Sequence, residues 1–450
     1  MRVLVVGGGG REHALVHAFA SSRLAAQLFC APGNAGIAEE ADCVDVGADD
    51  LPALLAFAKK EHIDLTVVGP EAPLVAGLAD LFAENQLPVF GPSRLAAQLE
   101  GSKAFAKDVM YDAGAPTGRF RRHDNLDDAL RCLEMQDTWP LVVKADGLAA
   151  GKGVVIANDY EEAHRAVEEN LVDGRYGAAS SVLIIEEFLT GPEVSLLALC
   201  DGKTVLPMAP AQDYKRIFAG DRGPNTGGMG SYCPVPGFEQ AAVDRVVDEV
   251  YEPVLAALRK RGIDYRGVLY GGLIVTDEGV KLLEFNCRFG DPETQAILPR
   301  LESDLLELCL AAAGGELGGM SLSWKPQPCV SVVMASRGYP ESSSKGDVIS
   351  GLAEAAAEPD VTVYHAGTAF AAQAPAAGGA APAGRPIVTA GGRVLAVSAL
   401  GQDFAAARRC AYDALEHIRF DGMQSRTDIA ERAVKAERHE LDLFPSTPAS

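Results

Sequence analysis

Two oxygen-bearing side chains, Glu284 and Asn286, stand two positions apart in the segment LLEFNCRFGDPETQ. Side chains at i and i+2 of a β-strand lie on the same face, so this carboxylate and carboxamide share one side. Hard oxygen donors of this kind suit Mg²⁺, which binds through one or two protein groups together with phosphates and water. The spacing therefore predicts a divalent-metal site. The turn that follows carries three more charged side chains, at Arg288, Asp291 and Glu293.

A second glycine-rich segment, KADGLAAGKGVVIA, indicates a phosphate site of a different kind from a P-loop. Only three residues separate Gly147 from Gly151, and Gly153 stands where a P-loop has Ser or Thr. Its flanks read as two strands, whereas a P-loop joins a strand to a helix. We therefore expect a flexible hairpin that lays backbone amides, including those of Gly151 and Gly153, over phosphates.

Three lysines accompany this hairpin. Lys144 lies on the strand that leads into it, Lys152 lies within it, and Lys103 lies at the start of a helix. Any one of them alone is typical of a solvated surface. Two lysines that bracket an Asp-Gly-x-x-x-Gly loop favour the binding of a triphosphate.

The strand IIEEFLTGPEVS ends in Glu186 and Glu187, turns, and re-enters at Glu193. A hinge at this point could offer backbone groups to an adenine edge and a carboxylate to a ribose diol. The local sequence equally fits acids that cap a solvated turn. Both interpretations remain open at this level.

The opening segment VVGGGGREHA lacks the dinucleotide fingerprint, because Glu12 occupies the third glycine position and no acid ends the second strand. A strand-to-helix turn remains, whose amides suit a single phosphate. The predicted phosphate ligands are Gly8, Gly9, Gly10 and Arg11. Tight packing is the alternative reason for the glycines. Asn34 and Glu71 follow the second and third strands, at the sheet edge where ligands of such folds bind.

These motifs lie on an α/β and α+β multidomain pattern. Residues 1–101 alternate short apolar runs with helical patterns, which predicts an open parallel sheet. Residues 102–325 form a central region, and residues 326–425 a small α+β domain with a low-complexity Ala/Gly/Pro loop near 372–384. Residues 426–450 read as a charged tail. Within the central region, about 25 residues from AQDYKR to PVPG show no periodicity, which predicts a functional loop.

Composition excludes several classes of protein. The 450 residues carry a formal charge of -22 and show no basic patch, so we expect neither a nucleic-acid nor a membrane partner. The nine cysteines include no Cys-x-x-Cys pair and read as free thiols of a reducing compartment. No leader and no apolar stretch of membrane length is visible. We therefore expect a cytoplasmic protein that acts on small molecules.

Taken together, the motifs resemble the ATP-grasp superfamily and, within it, the glycinamide ribonucleotide synthetase family. The resemblance covers nearly the whole chain, and RFGDPETQ at 288–295 is its most specific motif. It implies an N-terminal phosphoribosylamine-binding domain, a central ATP-grasp domain with a lid lobe at about 122–190, and a C-terminal domain. It also implies that ATP, glycine and 5-phosphoribosylamine become ADP, phosphate and glycinamide ribonucleotide, an early step of purine synthesis. We expect a monomer or a weak dimer.

The resemblance also implies roles for individual residues. The cofactor is Mg²⁺ or Mn²⁺, held by Glu284 and Asn286. ATP is held by Lys103, Lys144, Gly151, Lys152, Gly153, Glu186, Glu187 and Glu193. Arg288, Lys144 and Lys152 are catalytic, and Arg288 neutralises the glycine carboxylate and the acyl phosphate. Phosphoribosylamine and glycine are held by Asn34, Glu71, Asp213, Lys215, Asn225, Thr226, Gly227, Gly228, Arg288, Asp291 and Glu293. The sugar phosphate belongs to Gly8–Arg11 or, in competition, to the loop that begins at Asn225.

Three alternative functions stay open from sequence. One is another ATP-grasp ligase or carboxylase, for example one in which bicarbonate accepts the phosphoryl group. The second is a nicotinamide oxidoreductase built on the first glycine loop, which the missing acid after the second strand disfavours. The third is a nucleotide-binding regulator without catalysis, which the combination of lysines, metal ligands and Arg288 disfavours.

Overall fold

The computed structural model describes residues 1–147, 153–174, 182–372 and 385–444. Gly151, Lys152 and the greater part of the Ala/Gly/Pro segment lie outside these ranges, so the predictions made for them are not addressed by the fold. The strands, in chain order, are β1 Arg2–Gly7, β2 Gln27–Pro32, β3 Asp42–Cys43, β4 Leu65–Val68, β5 Val89–Phe90, β6 Phe120–His123, β7 Leu141–Ala145, β8 Val154–Ala157, β9 Leu183–Glu187, β10 Glu193–Asp201, β11 Val205–Pro207, β12 Gln212–Asp213, β13 Arg216–Phe218, β14 Arg222–Asn225, β15 Gly230–Cys233, β16 Arg266–Thr276, β17 Gly279–Asn286, β18 Cys329–Ala335, β19 Val361–His365, β20 Thr368–Phe370, β21 Ile387–Thr389 and β22 Arg393–Leu400.

The helices are α1 Gly10–Ala20, α2 Leu51–Lys60, α3 Glu71–Ala76, α4 Leu78–Glu84, α5 Gln98–Gly101, α6 Lys103–Ala113, α7 Leu126–Glu134, α8 Tyr160–Leu171, α9 Gln240–Val246, α10 Glu252–Lys260, α11 Thr294–Ile297, α12 Leu305–Gly314, α13 Leu352–Ala356, α14 Phe404–His417 and α15 Glu431–Glu437. Several begin at a residue whose side chain accepts a hydrogen bond from a first-turn amide, which satisfies a backbone donor that the helix itself leaves free. These N-caps are Asp50, Ser102, Asn125, Asp159, Asp304 and Asp403.

The N-terminal sheet is parallel, with strand order β3-β2-β1-β4-β5. Both faces of β1 are buried: Val3 and Val5 pack on the α1 side, whereas Leu4 and Val6 pack on the α2 side. Burial on both faces explains why this strand is a continuous apolar run. The open parallel sheet predicted from the sequence is confirmed.

Two four-stranded antiparallel sheets form the central region. The first has the order β6-β9-β7-β8, and the second has the order β11-β10-β16-β17. The predicted strand-and-strand flanks of the second glycine segment are β7 and β8, which pair directly. A π-helical turn at Val247–Tyr251 joins α9 to α10 behind the second sheet.

The prediction of a structureless loop from AQDYKR to PVPG is wrong. The segment holds β12, β13, β14 and β15, and β12 and β15 join the sheet of the C-terminal region, whose order is β12-β15-β18-β22-β19. These strands are two to four residues long, which is too short for a periodic pattern. Their pairing with distant strands, rather than local propensity, fixes them.

The segment from residue 426 to the end of α15 is not the charged tail that the sequence predicts, because part of it is buried. Arg426 is fully buried. Its guanidinium lies 3.0 Å from Asp221 and 2.7 Å from Asp428, and stacks 4.7 Å from the Tyr214 ring centroid. The segment therefore fastens the β13–β14 hairpin to the C-terminal sheet. In the described ranges, no helix combines the length and apolarity needed to cross a bilayer.

Candidate active site

The metal-ligand pair predicted from sequence lies at the end of β17. The pairing of β16 with β17 shifts register between Gly272, opposite Glu284, and Leu273, opposite Leu282, so Leu283 is an extra residue. This bulge turns Leu282 into the core while Glu284 faces the open cleft. Glu284 and Asn286 both follow the bulge, and their regular pairing with β16 puts the two side chains on one face of β17.

The Glu284 carboxylate is surrounded by positive charge. Desolvation within the cleft opposes its charged form, although the side chain faces the cleft opening, but four cations outweigh that effect and hold the pKa of Glu284 below its usual range. They are Lys215, Lys144, Lys103 and Arg288. Within the described part of the chain, no group donates a hydrogen bond to this carboxylate. Glu284 and these four cations therefore lie in one cleft.

The donor set fits a magnesium-type ion. The Asn286 carboxamide oxygen accepts a hydrogen bond from Nη2 of Arg288, 3.1 Å away, and retains a second lone pair. No group of three or more His, Cys, Asp or Glu side chains suited to a metal occurs in the residues that the structure describes. Two protein oxygens, with the remaining ligands left to phosphates and water, match the way Mg²⁺ is usually bound.

Arg288 is held by carboxylates from two other elements. Its Nη2 lies 3.0 Å from Oε1 of Glu100 on α5, and its Nε lies 3.4 Å from Oε2 of Glu71 at the start of α3. Burial disfavours the guanidinium charge, but these acids raise the pKa of Arg288 further above its usual value. Sequence reasoning missed Glu100, because a lone Glu in a short helical stretch carries no motif.

Glu186 and two lysines form a buried ion-pair network. Glu186 at the end of β9 is only 5% exposed and pairs with both Lys144 on β7 and Lys107 on α6, the latter at 2.7 Å. Lys107 also donates to Thr117 at 2.8 Å. Burial opposes the charge on Glu186, but the two lysines lower the pKa of Glu186. We did not predict a role for Lys107, because a single charged residue in a helical pattern is typical of a solvated surface.

Lys103 lies at the first turn of α6 and donates to the Gly147 carbonyl at 2.9 Å, which ties the helix to the glycine hairpin. Burial lowers the pKa of Lys103. At the other end of the hairpin, the carbonyl of Gly153 accepts a hydrogen bond from Ala145 at 2.8 Å. The hairpin stem is therefore placed beside the lysines that were predicted to bind phosphates.

The other two hinge acids also pair with cations. Glu187 lies 2.8 Å from the exposed Arg119 and 3.7 Å from Lys281. Glu193, at the start of β10, pairs with Lys215. The structure thus resolves neither of the two sequence interpretations, and the ATP role of these acids stays a prediction.

Asp213 and Lys215 flank the end of β12 inside the cleft. Burial is the main cause that raises the pKa of Asp213, to about 7, with Glu293 and Glu193 adding to the rise and Lys215 opposing it. Burial disfavours the charge on Lys215, but the neighbouring carboxylates raise its pKa. Asp213 can therefore exchange a proton with a ligand near neutral pH, whereas Lys215 stays charged.

The loop after β14 is fixed by the C-terminal region. Thr226 closes it with two hydrogen bonds to the Lys215 carbonyl, at 2.7 and 2.9 Å, and its hydroxyl oxygen accepts from the Gly228 amide at 2.9 Å. The Gly227 amide donates to Tyr339 Oη at 2.9 Å. Asn225 ends β14 with an exposed side chain. The loop thus presents polar groups to the cleft from a defined position.

Arg393 extends this contact to the turn after β17. Its guanidinium lies 2.9 Å from Oδ2 of Asp291 and also donates to the Gly227 carbonyl, at 2.5 Å. Burial opposes the charge on Asp291, and Arg393 is the largest of the effects that lower its pKa. Sequence reasoning missed Tyr339 and Arg393, since both lie more than a hundred residues from the motif they support.

Glu293 is buried in a hydroxyl cluster. Its Oε1 accepts from Tyr270 at 2.6 Å and from Ser195 at 3.1 Å, and the two hydroxyls lie 2.8 Å apart. All three side chains are buried. Glu293 therefore joins the β10–β16 sheet to the RFGDPETQ turn.

The opening glycine loop is filled by the protein itself. Arg11 is 7% exposed, and its guanidinium contacts Glu12 at 2.6 Å and the Phe289 carbonyl at 3.1 Å. A Cβ on Gly8 would lie 2.5 Å from the Gly33 carbonyl oxygen, and one on Gly10 would lie 2.6 Å from Gln295. Close packing accounts for these glycines, which favours the alternative interpretation.

Asn34 is likewise occupied by the fold. Its Oδ1 accepts from the amides of Gly36 and Ile37, both at 2.9 Å, and its Nδ2 donates to the carbonyls of Gly8 and His365 at 3.0 and 2.8 Å. Every polar atom of its side chain is satisfied. The predicted substrate contact of Asn34 is untested, and its observed contacts join the N-terminal and C-terminal regions.

The two antiparallel sheets of the central region, with Lys144 on β7 and the predicted metal ligands Glu284 and Asn286 on β17, agree with an ATP-grasp enzyme. Residues 101–294 match the family model "Phosphoribosylglycinamide synthetase, ATP-grasp (A) domain". Residues 1–100 match its N domain and residues 329–432 its C domain. The chain belongs to the phosphoribosylglycinamide synthetase family and is a ligase of the ATP-grasp class.

Individual relatives agree. A phosphoribosylamine–glycine ligase of Allochromatium vinosum is 49% identical over 97% of this chain and 100% of its own. Its counterpart in Pseudomonas aeruginosa is 48% identical over 98% and 100%. The crystal structure of the Thermotoga maritima enzyme of that name superposes with a TM-score of 0.80 at 32% identity, covering 95% of this chain and 100% of that one. A biotin carboxylase domain from Hydrogenobacter thermophilus, at 17% identity and a TM-score of 0.69, shares the fold alone.

Proposed function

We propose that this protein joins glycine to 5-phosphoribosylamine at the expense of ATP, giving glycinamide ribonucleotide, ADP and phosphate. The observation that carries the proposal is the convergence of four cations on Glu284 in one cleft. Family membership supports the choice of substrates, because the relatives of nearly equal length bear the name phosphoribosylamine–glycine ligase.

A carboxylate is a poor electrophile, so amide formation at neutral pH needs activation. In the proposed route, a glycine carboxylate oxygen attacks the γ-phosphorus of ATP, ADP leaves, and a glycyl phosphate forms. The amine of phosphoribosylamine then attacks the acyl carbon, loses a proton and expels phosphate. Such a reaction needs positioning and charge stabilisation more than a protein nucleophile.

Each group in the cleft has a part in this route. Lys144 and Lys103 bind ATP phosphates, together with Lys152 and the amides of Gly151 and Gly153. A divalent ion, Mg²⁺ or Mn²⁺, held by Glu284 and Asn286 supplies further positive charge to the phosphate oxygens. Arg288 orients the glycine carboxylate and neutralises the developing acyl phosphate.

Phosphoribosylamine is assigned to the face formed by Asp213, Lys215 and the loop from Asn225 to Gly228. Asp213 suits the amine because burial keeps its pKa close to neutral. Between the two candidate sites for the sugar phosphate, we favour the Asn225 loop. The opening loop offers less, since Glu12 already accepts the Gly9 amide and Arg11 is paired. Asp291 braces this loop through Arg393, and Asn34, Glu71 and Glu293 stay predicted substrate residues.

Omission of single substrates tests the proposal. Phosphate release is measured with ATP and Mg²⁺, with glycine, phosphoribosylamine, both, or bicarbonate in their place. We expect sustained release only with glycine and phosphoribosylamine together. Release that depends on bicarbonate and not on glycine would assign the chain to carboxylate chemistry of another ATP-grasp type.

The proposal includes a cytoplasmic site of action and a monomer or weak dimer. All nine cysteines are free thiols, which agrees with a reducing compartment. The domain limits proposed from sequence, 1–101, 102–325 and 326–425, are retained, with the last extended through α15 because Arg426 before that helix and Ala433 within it are buried.

A further inference from the structure

The Glu100 carboxylate contacts two adjacent residues of the active site, Cys287 and Arg288. Its Oε1 lies 3.0 Å from Nη2 of Arg288, and its Oε2 accepts a hydrogen bond from the Cys287 amide at 2.7 Å. The side chain is only 8% exposed. One carboxylate therefore fixes the backbone immediately after Asn286 and the guanidinium immediately beyond it.

Arg288 needs such a partner because it has other acceptors within reach. Its Nη2 also donates to the Asn286 carboxamide at 3.1 Å, and its Nε lies at a longer 3.4 Å from Glu71. A long arginine side chain loses substantial rotamer entropy when it is held in one conformation. A buried acceptor that is itself tied to the main chain gives the guanidinium a fixed charged contact in addition to the one with Asn286.

The position of Glu100 in the chain adds to this argument. It lies on α5, which joins the N-terminal sheet to the central region and packs beside β17. Beyond these two contacts, no other hydrogen bond or ion pair of the Glu100 side chain occurs within the described ranges. Among the described residues, its side chain therefore makes polar contacts with Cys287 and Arg288 alone.

We propose that Glu100 is a positioning residue that sets the Arg288 guanidinium for the glycine carboxylate and the acyl phosphate. The inference rests on the proposed function of Arg288 and assigns Glu100 a role in glycine use rather than in ATP binding. Loss of the Glu100 charge should then impair the glycine-dependent step while the affinity for ATP is retained.

The test compares Glu100→Gln with Glu100→Asp and a matched control, Asp112→Asn. Asp112 also pairs with an arginine, Arg261, but on the exposed side of α6. Steady-state phosphate release is measured against glycine and against ATP, with thermal melting as the check on folding. For Glu100→Gln we expect kcat/KM for glycine to fall about 10- to 100-fold, with KM for ATP within about twofold of wild type. Glu100→Asp should recover part of the loss, and Asp112→Asn should match wild type.

A double mutant separates positioning from general destabilisation. If Glu100 acts through Arg288, then Glu100→Gln should add little to the loss already caused by Arg288→Lys. Three results would overturn the inference while leaving the proposed function intact. The first is a double mutant whose loss is the full product of the two single losses. The others are equal rises in KM for ATP and glycine in Glu100→Gln, and a Glu100→Gln variant as active as Asp112→Asn. A wild-type protein without glycine-dependent turnover would overturn the proposed function, and this inference with it.

Discussion

The backbone amide of Gly9 donates a hydrogen bond to Oε2 of Glu12 across 2.6 Å. The other carboxylate oxygen of Glu12 pairs with Arg11, also at 2.6 Å. A Cβ on Gly7 or Gly69 would lie less than 3 Å from the Glu12 side chain. A protein carboxylate thus fills the glycine-lined turn that resembles a phosphate cradle.

We expect Glu12→Ala to destabilise the N-terminal domain by about 3 kcal/mol, because the buried Arg11 then loses its charge partner. Denaturant unfolding of the full chain is the measurement. Glu358→Ala, which removes an exposed partner of His417, is the control and should change stability by about 1 kcal/mol or less. A Glu12→Ala protein as stable as that control would show that the contact is not a structural one.

Glu284→Ala should abolish ATP-dependent turnover with little change in the melting temperature. The reason is that Glu284 faces the open cleft and, among the described residues, receives no hydrogen bond, so its removal leaves no hydrogen-bond donor without an acceptor. Mg²⁺-dependent phosphate release and thermal melting are the two measurements. Unimpaired turnover in this variant would refute the metal assignment.

Asp213 should give the reaction a pH dependence near neutrality. Its pKa, raised by burial to about 7, means that the ionised form able to accept from an amine grows between pH 6 and 8. We expect kcat/KM for phosphoribosylamine to rise about tenfold over that interval. The substrate amine titrates in the same way with every variant and so contributes equally to every pH profile. The tenfold rise caused by Asp213 should therefore be absent from Asp213→Asn. Identical profiles for the two proteins would exclude Asp213 as its source.

The His17–Glu40 pair should stabilise the fold most in mildly acidic solution. The Nδ1 atom of His17 lies 3.0 Å from Oε2 of Glu40. The hydrogen bond that His17 donates to the Glu40 carboxylate raises the pKa of His17. Burial opposes the charge on Glu40, but His13 and His17 lower its pKa to about 2. Both groups are therefore charged in mildly acidic solution.

Glu40 contributes stability above its unfolded pKa of about 4.3, and this is lost as pH falls toward 2. His17 contributes below its unfolded pKa of about 6.5, and this is lost as pH rises through its higher folded value. The melting temperature of His17→Gln should therefore fall furthest below wild type between about pH 4.5 and 6.5. The corresponding loss of unfolding free energy should be about 1 kcal/mol or less, since His17 is half-exposed. A difference that grows toward pH 9 would contradict this assignment.

Local patterns predicted most of the regular structure. The apolar run before Gly7, the strands on either side of the second glycine segment and the strand that carries Glu284 and Asn286 were all placed correctly, because each depends on periodicity or on turn chemistry within a few residues. The strands between Gln212 and Cys233 were missed, since distant partners fix them.

The same reason limits prediction of the site. Glu100, Lys107, Tyr339 and Arg393 support predicted residues from other elements, and no spacing in the chain links them to those residues. The glycines of the opening loop show the opposite error. Their number suggested an external ligand, whereas the neighbouring groups that crowd them, Glu12 and the Gly33 carbonyl, are parts of the protein.

The central claim, that the glycine carboxylate accepts the γ-phosphoryl group of ATP, is tested most directly by isotope transfer. Glycine labelled with ¹⁸O in its carboxyl group is converted in the presence of ATP and phosphoribosylamine, and the released phosphate is examined by mass spectrometry. Formation of glycyl phosphate predicts one labelled oxygen in each phosphate released. Phosphate that carries no label, formed at the same rate as glycinamide ribonucleotide, would contradict the account.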